Sequence, residues 1–141
     1  MTDNQGPRYD IGPLLRRAHR KAANAFTEAM RPLDLQGKHF GVLLALHRNG
    51  PLSQRGLIDS IDSDKSSMVR MIDDLEARGL CARTPDDVDR RAYKVRLTDA
   101  GRAAFDQAER TAFAVADELL AGFAPDESRQ FYELLLRFVT D

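Results

Sequence analysis

Asp64-Lys65-Ser66-Ser67-Met68-Val69-Arg70-Met71-Ile72-Asp73-Asp74-Leu75-Glu76-Ala77-Arg78-Gly79 is the stretch whose reading decides the fold. Met68, Ile72 and Leu75 recur at i, i+4 and i+7 with Met71 beside them, an apolar stripe at helical period. Ser63 or Asp64 is placed to cap the first turn by accepting from an exposed backbone N–H. Gly79 suits the left-handed position that ends many helices, and Leu80 follows as its apolar partner. Opposite the stripe, Lys65, Ser66, Ser67 and Arg70 crowd the first two turns. Short hydroxyls with two long cations suit phosphate oxygens and base edges in a major groove. The same face would also serve as ordinary solvated surface, so this helix alone leaves both readings open.

The next residues narrow the choice. Cys81-Ala82-Arg83-Thr84 and Tyr93-Lys94-Val95-Arg96-Leu97 read as two short antiparallel strands around a charged tip, Pro85-Asp86-Asp87-Val88-Asp89-Arg90-Arg91. Val95 and Leu97 share one strand face, Lys94 and Arg96 the other. A helix followed by a hairpin with a cationic tip predicts a winged helix-turn-helix. Asp89-x-Arg91-x-x-x-Val95-x-Leu97-Thr98-x-x-Gly101, preceded by Leu75-Glu76-Ala77-Arg78-Gly79-Leu80, resembles the signature of the MarR family of winged-helix transcription regulators. The resemblance implies that Asp89 and Arg91 pair with each other in the wing and that Arg91 reaches into a minor groove, where a narrow groove concentrates negative potential. Without that motif, the pair would be a surface ion pair of little weight.

Upstream of the helix, Ser53 is expected to cap a short helix carrying Leu57, Ile58 and Ile61, with Asp62 and Ser63 making the turn between the two arms. Two residues depart from the family pattern. Asp62 stands where Gly is common, although Asp tolerates the left-handed region better than most residues. Ile58 stands where a small Ala is usual, so its bulk must be absorbed between the arms. Further out, Met1 to Tyr9 reads as a loose leader, and helices are expected from about Gly12 to Met30 and from about Lys38 to Arg48. Phe40, Val42, Leu43, Leu44 and Leu46 make the second of these apolar on most sides, hence buried. After Thr98, another cap, a long helix runs to about Leu120; Pro125 then opens a last helix bearing Phe131, Leu134, Leu135, Phe138 and Val139.

The expected fold is therefore mainly α (α+β), a winged helix-turn-helix with a helical dimerisation layer built from N- and C-terminal helices. Residues 1–36 and 99–141 would form the layer, with residues 37–98 as the DNA-binding domain. The alternative is that the outer helices merely cover the winged domain within one chain. A two-fold dimer would match two half-sites one helical turn apart.

Composition bounds the function. Hydrophobic residues at 43% and charged residues at 30% mark a globular chain rather than a disordered one. No stretch approaches the ~20 apolar residues of a membrane span, the first residues lack a secretory core, and a single Cys excludes an intrachain disulfide framework and suits a reducing cytoplasm, where the protein is expected. The net charge of −1 is unpromising for a DNA binder until its distribution is read. Residues 1–38 carry seven Lys/Arg against four acids, whereas residues 99–141 carry four against nine, a segregation that can orient a protein on a polyanion.

No nucleotide loop, nucleophile elbow or dinucleotide fingerprint supports an enzyme. The three histidines, His19, His39 and His47, lie at no metal-ligand spacing; neither a metal nor a cofactor is expected. The single thiol, Cys81, reads as a small buried hydrophobe, with oxidation sensing as a minor alternative. The candidate DNA contacts are Ser53 and Gln54 at the start of the short helix, Lys65, Ser66, Ser67 and Arg70 on the next, and Asp89, Arg90, Arg91 and Lys94 on the wing. The family resemblance further implies a small aromatic or phenolic ligand between the layer and the winged domain, for which Arg16, His19, His39, Phe40 and Phe113 are the candidates. The expected function is a homodimeric, ligand-responsive repressor on a pseudo-palindromic DNA operator. Its rivals are a winged-helix protein-interaction module without specific DNA binding and an enzyme built on the helical layer.

Overall fold

The computed structural model describes residues 8–140; most of the leader expected over residues 1–9 lies outside that range. The elements are α1 (Ile11–Met30), α2 (Gly37–Asn49), β1 (Leu52–Ser53), α3 (Gln54–Ile61), α4 (Lys65–Ala77), β2 (Cys81–Pro85), β3 (Tyr93–Leu97), α5 (Asp99–Leu119) and α6 (Pro125–Val139). Arg31–Leu33 form a 3-10 turn between α1 and α2, closed by Asp34 at φ 55°. Asp62 takes φ 51° between α3 and α4, the left-handed conformation expected there.

The strands form one antiparallel sheet in the order β1-β3-β2, so the chain is mainly helical with a small wing sheet. β2 pairs with β3 from Cys81↔Leu97 to Pro85↔Tyr93, and β1 pairs through Leu52↔Val95 and Ser53↔Lys94. β1 was not foreseen, because Asn49-Gly50-Pro51 reads as a turn and two residues carry no period. It forms because β3 has a second edge to satisfy, and Leu52 brings an apolar side chain to that edge.

The core lies where the helix-turn-helix meets the sheet. Val42, Leu43 and Leu46 of α2, Leu57 of α3, Met68, Ile72 and Leu75 of α4, Val95 of β3 and Phe105 of α5 are all buried. Burying a side chain of this size contributes about 1.5–3 kcal/mol. Phe105 stacks on Phe40 at 5.9 Å and on the His47 ring at 4.3 Å, tying α5 to α2. Ile58, the bulky departure, packs at the edge of this core. Cys81 is buried, as its role as a small hydrophobe requires.

The start of α5 is fastened to the end of α4. Gly79, at φ 73°, ends α4 and lets the Leu80 N–H donate to the Leu75 carbonyl at 2.9 Å. The Thr98 hydroxyl donates to the Gly79 carbonyl at 2.6 Å and accepts from the Gly101 N–H at 3.0 Å, while the Thr98 N–H donates to the Leu80 carbonyl at 3.1 Å. A Cβ on Gly101 would sit 1.9 Å from the Leu80 oxygen. Leu97-Thr98-x-x-Gly101 is thus a packing requirement at this seam.

The end of α1 joins this core through Met30, with Phe26 packed against it, but much of the apolar surface of the outer helices stays outside. Among the described residues, only Met30 of α1 is fully buried, and no residue of α6 is. Phe131, Leu134, Leu135 and Phe138 are 40–60% exposed, and Phe113 of α5 is 66% exposed.

Candidate nucleic-acid interface

α4 begins at Asp64, whose carboxylate accepts the Ser67 N–H and the Ser67 hydroxyl, each at 2.8 Å. These two bonds hold the Asp64 carboxyl below the usual aspartate range and keep it charged at the positive end of the helix. Ser67 therefore commits its hydroxyl proton to the cap and offers only lone pairs outward, unlike the free donor expected. Lys65, Ser66 and Arg70 are exposed on the outer face, opposite buried Met68, Met71, Ile72 and Leu75. Lys38, at the start of α2, joins Ser67 and Arg70 around a hollow of about 500 Å³ whose lining includes Asp74 and an edge of the buried His39.

The second half of α4 is acidic, and each acid is held. Arg83 of β2 donates to Asp73 at 2.5 Å and to Glu76 at 2.7 Å. Asp74 receives His39 Nε2 at 2.7 Å and lies 3.8 Å from Arg78. His39 Nδ1 accepts the Gln36 N–H at 2.9 Å, so the ring is a neutral Nε2–H tautomer that caps α2 with one nitrogen and braces α4 with the other. Burial pulls its pKa below the ordinary histidine value; the Arg78 charge acts in the same direction, while Asp74 and Asp34 oppose both.

Ser53 accepts the Gly56 N–H at 3.0 Å, capping α3 as expected and placing Gln54 at its first turn. Ser53 and Lys94 face one another across the β1–β3 pair, which brings the start of α3 to the base of the wing. The tip is built from two short turns. The Asp86 carboxylate accepts from Val88 N–H at 3.1 Å, and the Asp89 carboxylate accepts from Arg91 N–H at 3.0 Å. This corrects the Asp89–Arg91 ion pair. At two residues' separation a short aspartate reaches the backbone N–H directly, and the guanidinium is left outward. Arg90 and Arg91 are exposed.

Sequence reasoning overlooked Arg83. The only signal was in Asp73 and Glu76, two helix acids with no cation four residues on, which are left open to a cation from another element. It also treated as one set ligand candidates that the fold divides. His19 and Phe40 line a shallow groove of about 410 Å³ with Phe26, Ala112, Val115 and Leu119, between α1, α2 and α5. His39 opens instead toward the hollow beside α4, and Arg16 and Phe113 are exposed and line neither cavity.

Residues 33–92, which carry both arms of the helix-turn-helix and most of the wing, match the family model described as MarR family. A solved structure of CouR from Rhodococcus jostii bound to p-coumaroyl-CoA is 30% identical, with a TM-score of 0.80, over 98% of this chain and 99% of that one. The chain belongs to the MarR family. Other solved MarR-type structures agree over similar spans. BpsR of Bordetella bronchiseptica, whose structure concerns regulation of DNA binding by 6-hydroxynicotinic acid, is 29% identical with a TM-score of 0.84 over 93% of this chain and 99% of that one. A mutant of MarR from E. coli complexed with operator DNA is 25% identical with a TM-score of 0.83 over 94% and 97%. The protein is accordingly a winged-helix member of a transcription-regulator family, and no described helix is long and apolar enough to cross a membrane.

Proposed function

We propose that this MarR-family protein is a sequence-specific double-stranded DNA-binding repressor that acts as a homodimer on a pseudo-palindromic operator and releases it on binding an aromatic ligand. The observation that carries the reading is the division of α4: its inner stripe is buried, while Lys65, Ser66 and Arg70 stand exposed on the first two turns. Those side chains fit a major groove, with Ser53 and Gln54 on the neighbouring phosphates and Arg90, Arg91 and Lys94 on the wing side. The relative complexed with operator DNA supports this use of the fold.

A second copy accounts for α6. Its exposed Phe131, Leu134, Leu135 and Phe138, with Tyr9, Ile11 and Leu14 near the start of α1, are more apolar surface than a lone soluble chain usually leaves open. The helices outside residues 37–98 then form the dimer layer, and two copies present two α4 helices to successive turns of DNA. The groove of His19, Phe26, Phe40, Val115 and Leu119 supplies rings and aliphatic walls for an aryl ligand, in keeping with the ligands named for CouR and BpsR.

Selection from random duplexes at near-physiological salt tests the reading. A two-fold symmetric consensus is expected, with affinity falling steeply as salt rises. Retention that is salt-sensitive but without any preferred sequence would favour an interaction module instead.

A further inference from the structure

We propose that Arg83 is the positioning residue that sets the angle of the wing against α4, and that Asp73 and Glu76 are present to hold it. The proposal rests on the DNA-binding reading above. Asp73 and Glu76 lie on the helix assigned to the major groove, where any carboxylate opposes a polyanion. Both remain substantially exposed, at 60% and 42%, while the Arg83 side chain is only 21% exposed. The guanidinium reaches Asp73 at 2.5 Å with one nitrogen and Glu76 at 2.7 Å with another, and the Arg83 backbone N–H donates to the second Glu76 oxygen at 3.1 Å. Three hydrogen bonds thus fasten one residue of β2 to one side of α4.

The opposite side of Arg83 touches the other wing strand. Its guanidinium carbon lies 5.4 Å from the centre of the Tyr93 ring on β3, within cation–π range. The Tyr93 hydroxyl in turn makes a long contact, 3.5 Å, with Gln54 Oε1 at the start of α3. One side chain therefore connects α4 to both strands of the wing and, through Tyr93, to the helix proposed to grip the backbone. A planar fork suits this task; a lysine ammonium keeps the charge but cannot meet two carboxylates and stack on a ring together.

Charge and positioning predict opposite signs for the same substitutions. If Asp73 and Glu76 mattered only as charges, Asp73→Asn and Glu76→Gln would tighten DNA binding. If they hold Arg83, both variants weaken it, and Arg83→Lys weakens it as well, by roughly tenfold, the scale of one lost groove contact. Hydroxyl-radical footprints on the selected duplex should lose protection beside the wing while the α4 protection stays. Each variant combined with Arg91→Ala should cost less than the sum of the two single changes. Backbone amide relaxation of residues 86–92 in the free protein should show added motion in Arg83→Lys, a readout that needs no DNA. Tighter binding by Asp73→Asn, or Arg83→Lys with an unchanged footprint and unchanged wing relaxation, overturns the proposal. A wild-type protein without any preferred duplex refutes the DNA-binding reading instead, and the relaxation measurement still decides whether Arg83 holds the wing.

Discussion

Gly101→Ala should destabilise the fold even though it replaces a helical glycine by the best helix former. The added Cβ would lie 1.9 Å from the Leu80 oxygen, 2.9 Å from its carbonyl carbon and 3.3 Å from a Leu97 methyl. The first of these is backbone, so no rotamer change relieves it, and the start of α5 or the turn after α4 must shift by about an ångström or more to restore ordinary contact distance. That turn is held by the Thr98 N–H on the Leu80 carbonyl and the Thr98 hydroxyl on the Gly79 carbonyl. Overpacking of this kind costs about 1–3 kcal/mol and a strained hydrogen bond about 1 kcal/mol more, against about 1 kcal/mol gained from helix propensity. The net is a loss of about 1–3 kcal/mol, a fall of several degrees in Tm. Urea unfolding of both proteins at one fixed concentration measures it, because association with a second copy would make the midpoint concentration-dependent. A Gly101→Ala variant as stable as wild type, or more stable, would refute the assignment of Gly101 to close packing.

Arg70→Ala should cost about 1–3 kcal/mol of operator affinity and relax preference at one base position, as measured by repeating the duplex selection; uniform weakening across sequences would make Arg70 a phosphate contact. Stability should fall with acidity through His39. Its folded pKa lies below the ordinary 6.5, so the unfolded chain takes up the proton first as pH drops. The contribution is complete above about pH 6.5 and is lost as pH falls toward the folded value, at up to about 1.4 kcal/mol per pH unit. His39→Gln should flatten that part of the urea-midpoint profile. Cys81 should resist modification, because burial, with help from the Glu76 charge, pushes its thiol up to about 11. Iodoacetamide at about pH 8 should label it only on unfolding, and peroxide should leave DNA affinity unchanged.

The α4 helix and the wing were legible because their signals are local. Asp64 and Gly79 bound a helix by capping chemistry, and the Met68-Ile72-Leu75 spacing chose its buried face. What escaped depends on partners distant in sequence. Arg83 takes its meaning from acids seven and ten residues earlier on another element, and β1 exists only because β3 offers an edge. His39 and Phe40 are sequence neighbours, yet successive helix positions point about 100° apart, so one side chain meets Asp74 of α4 and the other the groove toward α1 and α5.

The two-residue strand β1 has a thermodynamic consequence. By pairing Ser53 with Lys94 it holds the cap of α3 and the root of the wing at the spacing of adjacent strands, about 4.8 Å. Two surfaces that would otherwise hang from separate loops become one plate, stiffened when the chain folds. The disorder lost in aligning them is settled before any double helix arrives, so less of the encounter energy is consumed in organising the reader.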